Sequence, residues 1–323
     1  MYRQRLDVIF DRFRNDMSLK SVTGQLVSEF CTRPTVRAGS LIITIFGDAV
    51  LPRGGTVWIG SLIKVLADFG ISERLVRTSV FRLTRDDWLE VEQIGRRSYY
   101  SLTTSGAQKF EQASARIYGD PRQTWTGDWC LVMLADLEGE SRELVRKELG
   151  WLGFGAISSN VLAHPTPNIP QLQATLKRAA VDRKVVVMRG TTLDRTRDET
   201  MRALVHKSWN LHEIDERYSA FIGQFQAVLR AAQKTRRPEG QLAFQIRTLL
   251  VHEYRSILLR DPLLPKEMLP TGWSGAKAYQ LCQKLYRRTC LAADEFIAAN
   301  LETTDGPLPE PAAEFFNRFG GLK

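Results

Sequence analysis

The sequence predicts a multidomain α+β protein with an N-terminal winged helix-turn-helix, a central ferredoxin-like α/β sandwich and a C-terminal helical domain. Three observations predict this fold class. An arginine-bearing helix and a hairpin follow a helical stretch between residues 41 and 106, and short strands alternate with helices over 125–188. The pattern over 198–300 is mainly helical. The expected segments are a basic extension (1–38), the winged helix (39–119), the sandwich (120–197) and the helical domain (198–323).

The composition is that of a globular protein with a modest excess of basic residues. At 323 residues the chain is long enough for two or three domains, and 45 Lys and Arg against 36 Asp and Glu give a net charge of +9, which favours a polyanionic partner. Cys31, Cys130, Cys282 and Cys290 lack metal-ligand spacing, so we expect no metal site. Without a visible secretory signal or transmembrane-length apolar stretch, we expect a cytoplasmic protein with no membrane partner.

The basic extension over 1–38 has an open role. Phe10, Phe13 and Met17 fall at helical spacing among arginines and aspartates. The segment could be a helix that packs on the winged helix or supports a dimer, an arm that lies on DNA, or a poorly ordered extension.

The winged helix is predicted from the order of its elements. An apolar helical run over 41–50 and a Pro-Arg-Gly-Gly turn precede a short strand over 56–58 and a helix over 59–69. Gly70 ends that helix, and Ser72 is the expected N-cap of the next one. In this second helix Val76, Val80 and Leu83 recur at spacings of four and three. We expect them to form a buried stripe, widened by Leu75 and Phe81.

The cations of this segment are placed to meet DNA. Several share a second face of the arginine-bearing helix, and two follow Gly95 at the tip of the hairpin. Guanidinium groups can pair with guanine edges or phosphates in the major groove. The predicted DNA-binding residues are Arg74, Arg77, Thr78, Arg82, Arg85, Arg96 and Arg97. The alternative is an ordinary solvated helix face, and because nearby acids almost cancel the local charge, the prediction depends on placement alone.

The central segment is predicted as a strand-helix-strand-helix-strand unit. The strands are expected over 129–135, 154–162 and 184–188, with helices over 141–149 and 168–180. Asp136 follows the first strand, where a carboxylate could hold a metal ion, although such a residue more commonly forms a turn.

The C-terminal segment is where an effector site is expected. One helix is predicted over 203–229 and two more over 243–259 and 276–299, with a proline-stiffened loop between these two. A pocket for an anionic, partly aromatic ligand would use His252, Tyr254, Arg255, Asp261 and Trp273. In the alternative, His252 and Tyr254 are core groups and Arg255 pairs with an acid. No nucleophile elbow or phosphate-cradling glycine loop is visible, so we expect neither an enzyme nor a resident cofactor.

Several motifs in a fixed order carry a family resemblance over about 41–322. They include Phe46-Gly47-Asp48, Arg53-Gly54-Gly55, 73–78 with 81–83, 95–100, Gly153-Phe154-Gly155, 261–265 and Phe319-Gly320-Gly321. In these stretches the chain resembles the PaaX family, repressors of phenylacetic acid degradation genes. The resemblance implies the three-domain fold, with a central domain similar to a CRISPR spacer-acquisition nuclease. It also implies a homodimer that binds double-stranded operator DNA and is released by phenylacetyl-coenzyme A.

Other functions stay open beside this one. A member of the same family could answer to a different aryl-coenzyme A thioester. The central domain could be a metal-dependent nuclease with Asp136 as its supporting residue, or the chain could act as an enzyme on the thioester itself, for which no nucleophile and base are visible.

Overall fold

The computed structural model describes residues 18–33, 38–119, 125–134, 136–192 and 198–322. Most of the basic extension predicted over 1–38 lies outside these residues. The helices are α1 Leu19–Cys31, α2 Ala38–Ile45, α3 Ile59–Ala67, α4 Glu73–Arg85, α5 Thr104–Tyr118, α6 Gly139–Trp151, α7 Ile169–Arg178, α8 Asp198–Ser208, α9 Leu211–Lys234, α10 Gly240–Leu258 and α11 Gly275–Asn300. The strands are β1 Thr56–Trp58, β2 Leu89–Ile94, β3 Arg97–Leu102, β4 Asp128–Met133, β5 Gly155–Ala156, β6 Val161–His164, β7 Val186–Thr191, β8 Glu302–Thr303 and β9 Gly306–Pro307.

The chain divides into two compact units, and this mixture of helices and small sheets confirms the predicted α+β class. The first unit contains the described parts of Met1–Asp120, Ala220–Arg255 and Lys277–Lys323. The second contains the described parts of Pro121–Ser219 and Ser256–Ala276. The domain boundaries expected from the sequence stay predictions. None of the helices in the described residues is both long and apolar enough to cross a membrane.

The first unit begins with the segment that we call the head, residues 38–118. Helix α2 is almost wholly buried, since most of its residues are apolar, and it continues into a π turn, Phe46–Val50. A left-handed Gly54, with φ of 91°, then reverses the chain into β1. Gly70, with φ of 70°, separates α3 from α4. The hairpin β2–β3 follows, and β1 joins it to form an antiparallel sheet of order β1-β3-β2.

The buried stripe of α4 is narrower than expected. Val76 and Val80 are buried, but Leu75 is 39% exposed and Phe81 is 68% exposed. The prediction that Leu75 and Phe81 widen the stripe is therefore wrong. Successive helical residues point about 100° apart, so Phe81 turns away from the core that its neighbour Val80 enters.

The rest of the first unit is a helical layer that ends in a short C-terminal segment. Helices α9 and α10 meet through the rings of Phe221 and Tyr254, whose centroids lie 5.5 Å apart, and α10 and α11 meet through Phe244 and Phe296, at 5.1 Å. Cys282 and Cys290 of α11 are free thiols buried in this layer. The tail forms a 3-10 segment, Ala313–Gly320, in which Phe315 and Phe319 are buried.

The second unit contains a four-stranded antiparallel sheet of order β5-β6-β4-β7. Side chains from α6 and α7 complete its core with β4 and β6, and include Leu149 and Leu172 beside Val132 and Leu162. The single strand predicted over 154–162 is wrong, because a bend at Ser158 divides it into β5 and β6.

The predicted helix over 203–229 is also divided. Helix α8 ends at Ser208, and α9 begins at Leu211. Between them the Trp209 indole donates a hydrogen bond to the carbonyl oxygen of Gly153 at 2.7 Å, and the Asn210 side chain bonds Glu213 at 2.9 Å. Asparagine has a low propensity for a helix interior, and Asn210 stands where the two helices separate.

Candidate nucleic-acid interface

Helix α4 carries an exposed face of polar and cationic side chains. Ser72 caps the helix by accepting a hydrogen bond from the amide of Leu75 at 3.4 Å, as predicted. Arg77 pairs with Glu73 one turn earlier at 2.8 Å, and these side chains are 56% and 60% exposed. Exposed pairs of this kind stabilise a protein by only about 0–1 kcal/mol, so Arg77 can exchange Glu73 for another anion at little cost.

The remaining predicted residues of α4 lie on the same side of the helix. Arg74, Arg82 and Arg85 are exposed, and the Thr78 hydroxyl donates to the carbonyl oxygen of Arg74 at 2.9 Å. Arg85 contacts Asp86 at 3.1 Å. The five α4 residues predicted to bind DNA are thus brought together on one solvent-facing surface, opposite the buried Val76 and Val80.

The two arginines of the hairpin tip differ in their surroundings. Arg96 is exposed in the turn that Gly95 opens with φ of 60°. Arg97 lies over the Trp58 ring, 4.2 Å from its centroid, and donates to Glu302 at 2.9 Å. Hydrogen bonds to Tyr99 and Glu302 raise the pKa of Arg97 above its ordinary value. Arg96 therefore extends from the tip, whereas Arg97 is held against the sheet.

A ladder of polar contacts joins the head to α10 within the first unit. Ser40, Thr44 and Asp48 are four residues apart and so share one side of α2 and its π turn. Each meets a side chain from α10. The pairs are Arg255 Nη2 to Ser40 Oγ at 2.8 Å, His252 Nδ1 to Thr44 Oγ1 at 3.2 Å, and Arg247 Nε to Asp48 Oδ2 at 2.7 Å. The first helix of the head is thus held along its length by α10.

Asp48 is the centre of a buried charged group, which we call the Asp48 cluster. Its carboxylate accepts hydrogen bonds from Arg247 at 2.7 Å, Arg318 at 2.9 Å, and the hydroxyls of Tyr118 at 2.7 Å and Tyr286 at 2.9 Å. Burial acts to raise the pKa of Asp48, but the two guanidinium groups and the two hydroxyls outweigh it and hold the pKa below its ordinary value. The carboxylate is therefore ionised at neutral pH.

The Asp48 cluster extends to a second aspartate. Asp294 accepts hydrogen bonds from Arg247 at 2.5 Å and from Arg53 at 2.6 Å. The guanidinium of Arg318 lies 4.0 Å from the ring centroid of Tyr118. The cluster thus joins the head (Arg53, Asp48 and Tyr118), helices α10 and α11 (Arg247, Tyr286 and Asp294) and the C-terminal segment (Arg318) in a network of paired charges and aromatic faces.

Three of the predicted effector residues lie in the first unit. Burial, with Arg255 and Arg33 nearby, lowers the pKa of His252 to about 3, so the ring is neutral. Tyr254 is buried, with its ring centroid 5.5 Å from that of Phe221. The hydrogen bonds that Arg255 makes to Ser40 reach a carbonyl and a hydroxyl oxygen rather than a carboxylate. His252 and Arg255 thus contact the head, and Tyr254 packs in the core of the first unit.

The other two predicted effector residues lie in the second unit. Asp261 accepts a hydrogen bond from the Tyr218 hydroxyl at 2.6 Å and one from the amide of Leu263 at 2.7 Å. The Trp273 ring meets the same Tyr218 edge-on, with centroids 5.7 Å apart. Tyr218 is thus the residue that connects this pair.

Asp136 lies exposed in the turn after β4. Within the part of the chain that the structure describes, no group of three or more His, Cys, Asp or Glu side chains is arranged to hold a metal ion.

Reasoning from the sequence missed the Asp48 cluster. One signal was present, because Asp48 stands within an apolar run, and a carboxylate buried there requires a compensating cation. The identity of that cation was not visible, since Arg247 and Arg318 lie 199 and 270 residues further along the chain.

Comparisons with known proteins agree on the class of the chain. Family models match three regions, of which the last two overlap: "PaaX-like protein" over 37–106, "PaaX protein central Cas2-like domain" over 122–227 and "PaaX-like protein C-terminal domain" over 209–299. The chain is 39% identical over 290 residues to "Transcriptional repressor PaaX" of Escherichia coli (strain K12), covering 89% of this chain and 91% of that protein. These similarities place it among regulators of transcription, which are not enzymes. The chain belongs to the PaaX family.

A solved structure of an uncharacterized protein from Mycobacterium tuberculosis is a more distant match. It is 20% identical, with a TM-score of 0.46, and the match covers 72% of this chain and 90% of that one. This likeness is too remote to bear on function.

Proposed function

We propose that this protein is a DNA-binding transcriptional repressor of phenylacetate catabolism genes that acts in the cytoplasm. The head would be a winged helix-turn-helix, with α3 and α4 as the helix pair and β2–β3 as the wing. The observation that carries the proposal is the exposed face of α4, on which Arg74, Arg77, Thr78 and Arg85 lie opposite the buried Val76 and Val80. A helix with that distribution fits the major groove of double-stranded DNA.

The wing would contact the DNA backbone beside that groove. Arg96 extends from the hairpin tip and is suited to a phosphate group. Arg97, held by Trp58 and Glu302, would chiefly set the orientation of the hairpin. Most of the binding energy would then be electrostatic and dependent on salt.

A homodimer would place two such helices on a palindromic operator. We infer that the second unit is the ferredoxin-like domain, because its helices α6 and α7 alternate with an antiparallel sheet in the expected order. Its edge strand β7 exposes Val186, Val187 and Met188 to 51%, 45% and 43%. This apolar start of the edge strand, which precedes the exposed Arg189, is suited to pair with its own copy about a two-fold axis. Val187→Lys should then convert a dimer to a monomer in sedimentation equilibrium, and an unchanged mass would reject this edge as the interface.

Phenylacetyl-coenzyme A is the effector that we propose, from the family resemblance. The ladder between α2 and α10 supports a route for its action, because a ligand that moved α10 would disturb contacts along the first helix of the head. A ligand shifts such an equilibrium only by its differential affinity for the two arrangements. Another aryl-coenzyme A thioester is the alternative effector within the same family.

The test is a titration of the purified protein with labelled DNA from its own upstream intergenic region, followed by fluorescence anisotropy. We expect tight binding that phenylacetyl-coenzyme A reverses and free phenylacetate does not. Tight binding that resists both compounds would retain the DNA-binding function and reject this effector. No binding to upstream DNA, at low or at physiological salt, would reject the repressor.

A further inference from the structure

Phe81 is an apolar ring in the middle of the exposed face of α4. It lies one turn after Arg77 and Thr78, two turns after Arg74 and one turn before Arg85. Its side chain is 68% exposed, whereas the adjacent Val80 is 1% exposed. The ring thus sits among the cations proposed to meet DNA and is turned away from the core of the head.

A phenyl ring has no group that can donate or accept a conventional hydrogen bond. On the major-groove edges of the four base pairs, the apolar group available to it is the 5-methyl group of thymine. The arginines around the ring can pair with guanine edges or phosphates, but they cannot read that methyl group. An exposed ring at this position could therefore recognise the thymine methyl group, which the arginines cannot.

We propose that Phe81 is a specificity-determining residue that contacts the 5-methyl group of a thymine in each half of the operator. This proposal rests on the proposed function, because it requires α4 to enter the major groove. It goes further by assigning thymine to the base that lies opposite the centre of the helix. Burial of one methyl group predicts a preference of about fourfold per half-site.

The experiment replaces single thymines of the bound upstream duplex with deoxyuridine. This exchange removes the methyl group and keeps the base pairing unchanged. For the wild-type protein we expect one position in each half-site at which deoxyuridine weakens binding about fourfold. For Phe81→Ala we expect equal affinity for the thymine and deoxyuridine duplexes, and for Phe81→Leu an intermediate preference.

Leu291→Ala is the matched control, because Leu291 is also a strongly exposed apolar residue, at 71%, but lies on α11. It should retain the full preference for thymine. Thermal unfolding of Phe81→Ala should match that of the wild type, since the ring packs little against the protein.

Two sets of outcomes separate this inference from the function beneath it. If the wild-type protein does not bind upstream DNA, or if Arg77→Ala binds it as tightly as the wild type, α4 does not read DNA. The Phe81 inference is then rejected as well. Normal binding and a normal Arg77→Ala defect, combined with indifference to deoxyuridine at every thymine, would overturn the role of Phe81 alone. Retention of the wild-type preference by Phe81→Ala would likewise overturn only the role of Phe81.

Discussion

The arginines of α4 are exposed to solvent, whereas those of the Asp48 cluster are buried. The Arg77 side chain is 56% exposed and pairs with an exposed glutamate. The Arg247 side chain is 1% exposed and bonds the buried carboxylate of Asp48 and the partly buried carboxylate of Asp294. An exposed pair contributes about 0–1 kcal/mol. Removal of one partner from a buried pair is destabilising by about 3–5 kcal/mol.

The contrast separates two tasks of the first unit. Arginines with weak exposed partners can exchange them for phosphates or bases, so they are suited to recognition. Arginines with buried partners cannot leave them, so they hold the head against α10, α11 and the tail. The two groups are connected through α2, which packs beside α4 and continues into the π turn that contains Asp48. Substitutions in the two groups should therefore affect different measurements.

The largest effect is expected for Asp48→Asn. The change would leave Arg247 and Arg318 buried without their carboxylate, and we expect the free energy of unfolding to fall by about 3–5 kcal/mol. Urea denaturation followed by circular dichroism measures it. Glu295→Gln is the control, because Glu295 pairs with Arg237 on the surface, with side chains 50% and 68% exposed, and should change stability by about 1 kcal/mol or less. If both variants lost the same unfolding free energy, the distinction between buried and exposed ion pairs would be contradicted.

The second prediction is a loss of stability at low pH that depends on His252. Its pKa is lowered to about 3, below the ordinary value of about 6.5 that it regains on unfolding. The unfolded chain therefore binds the proton first, so the contribution of neutral His252 is complete above pH 6.5 and is lost as the pH falls towards 3. Between pH 6.5 and 3, this contribution to the free energy of unfolding should fall by about 1.4 kcal/mol per pH unit.

Denaturation of the wild type and of His252→Gln at pH 7, 6, 5 and 4 measures that slope. Glutamine does not titrate, so the difference in stability between the two proteins should narrow as the pH falls. A constant difference across the series would show that His252 does not contribute a buried neutral ring.

Substitution of Arg77 should affect operator affinity more than it affects the free energy of unfolding. Arg77→Ala should weaken operator binding by about 1–3 kcal/mol and relax specificity at one base, if the side chain reads that base. The free energy of unfolding should change by no more than about 0.5 kcal/mol, because the residue is exposed. Operator affinity at several salt concentrations, with Arg77→Lys as the control for charge, checks this. Equal affinity of Arg77→Ala and the wild type would remove α4 from the interface.

The smallest effect is expected at the wing. Arg96→Ala should weaken binding similarly for all DNA sequences, because a phosphate contact carries no base information. The slope of log K against log salt should fall in magnitude by about 0.9, the value for one lost phosphate contact. A change in base preference with an unchanged slope would mean that Arg96 reads bases instead.

Local features of the fold were predictable from the sequence. The cap at Ser72, the stop at Gly70 and the hairpin around Gly95 depend on neighbouring residues, and all three are present. Phe81 was misassigned, because the sequence shows which residues of a helix are apolar but not how wide its buried face is. That width depends on the surfaces that pack against the helix.

Contacts between distant parts of the chain were not predictable in this way. Asp48 signalled a buried charge, but 45 lysines and arginines were available to pair with it. The effector residues illustrate the same limit, since proximity along the chain grouped His252 with Asp261, whereas the two belong to different compact units. Their predicted role in binding a ligand stays a prediction.

The most direct measurement takes Arg74→Ala, Arg77→Ala, Arg247→Met and Arg318→Met and records unfolding free energy and operator affinity for each variant. We expect the first two to lose operator affinity while their free energy of unfolding changes by no more than about 0.5 kcal/mol. We expect the last two to lose about 3–5 kcal/mol of unfolding free energy. If the α4 variants lose stability while binding DNA as the wild type does, exposed arginines do not read DNA in this protein.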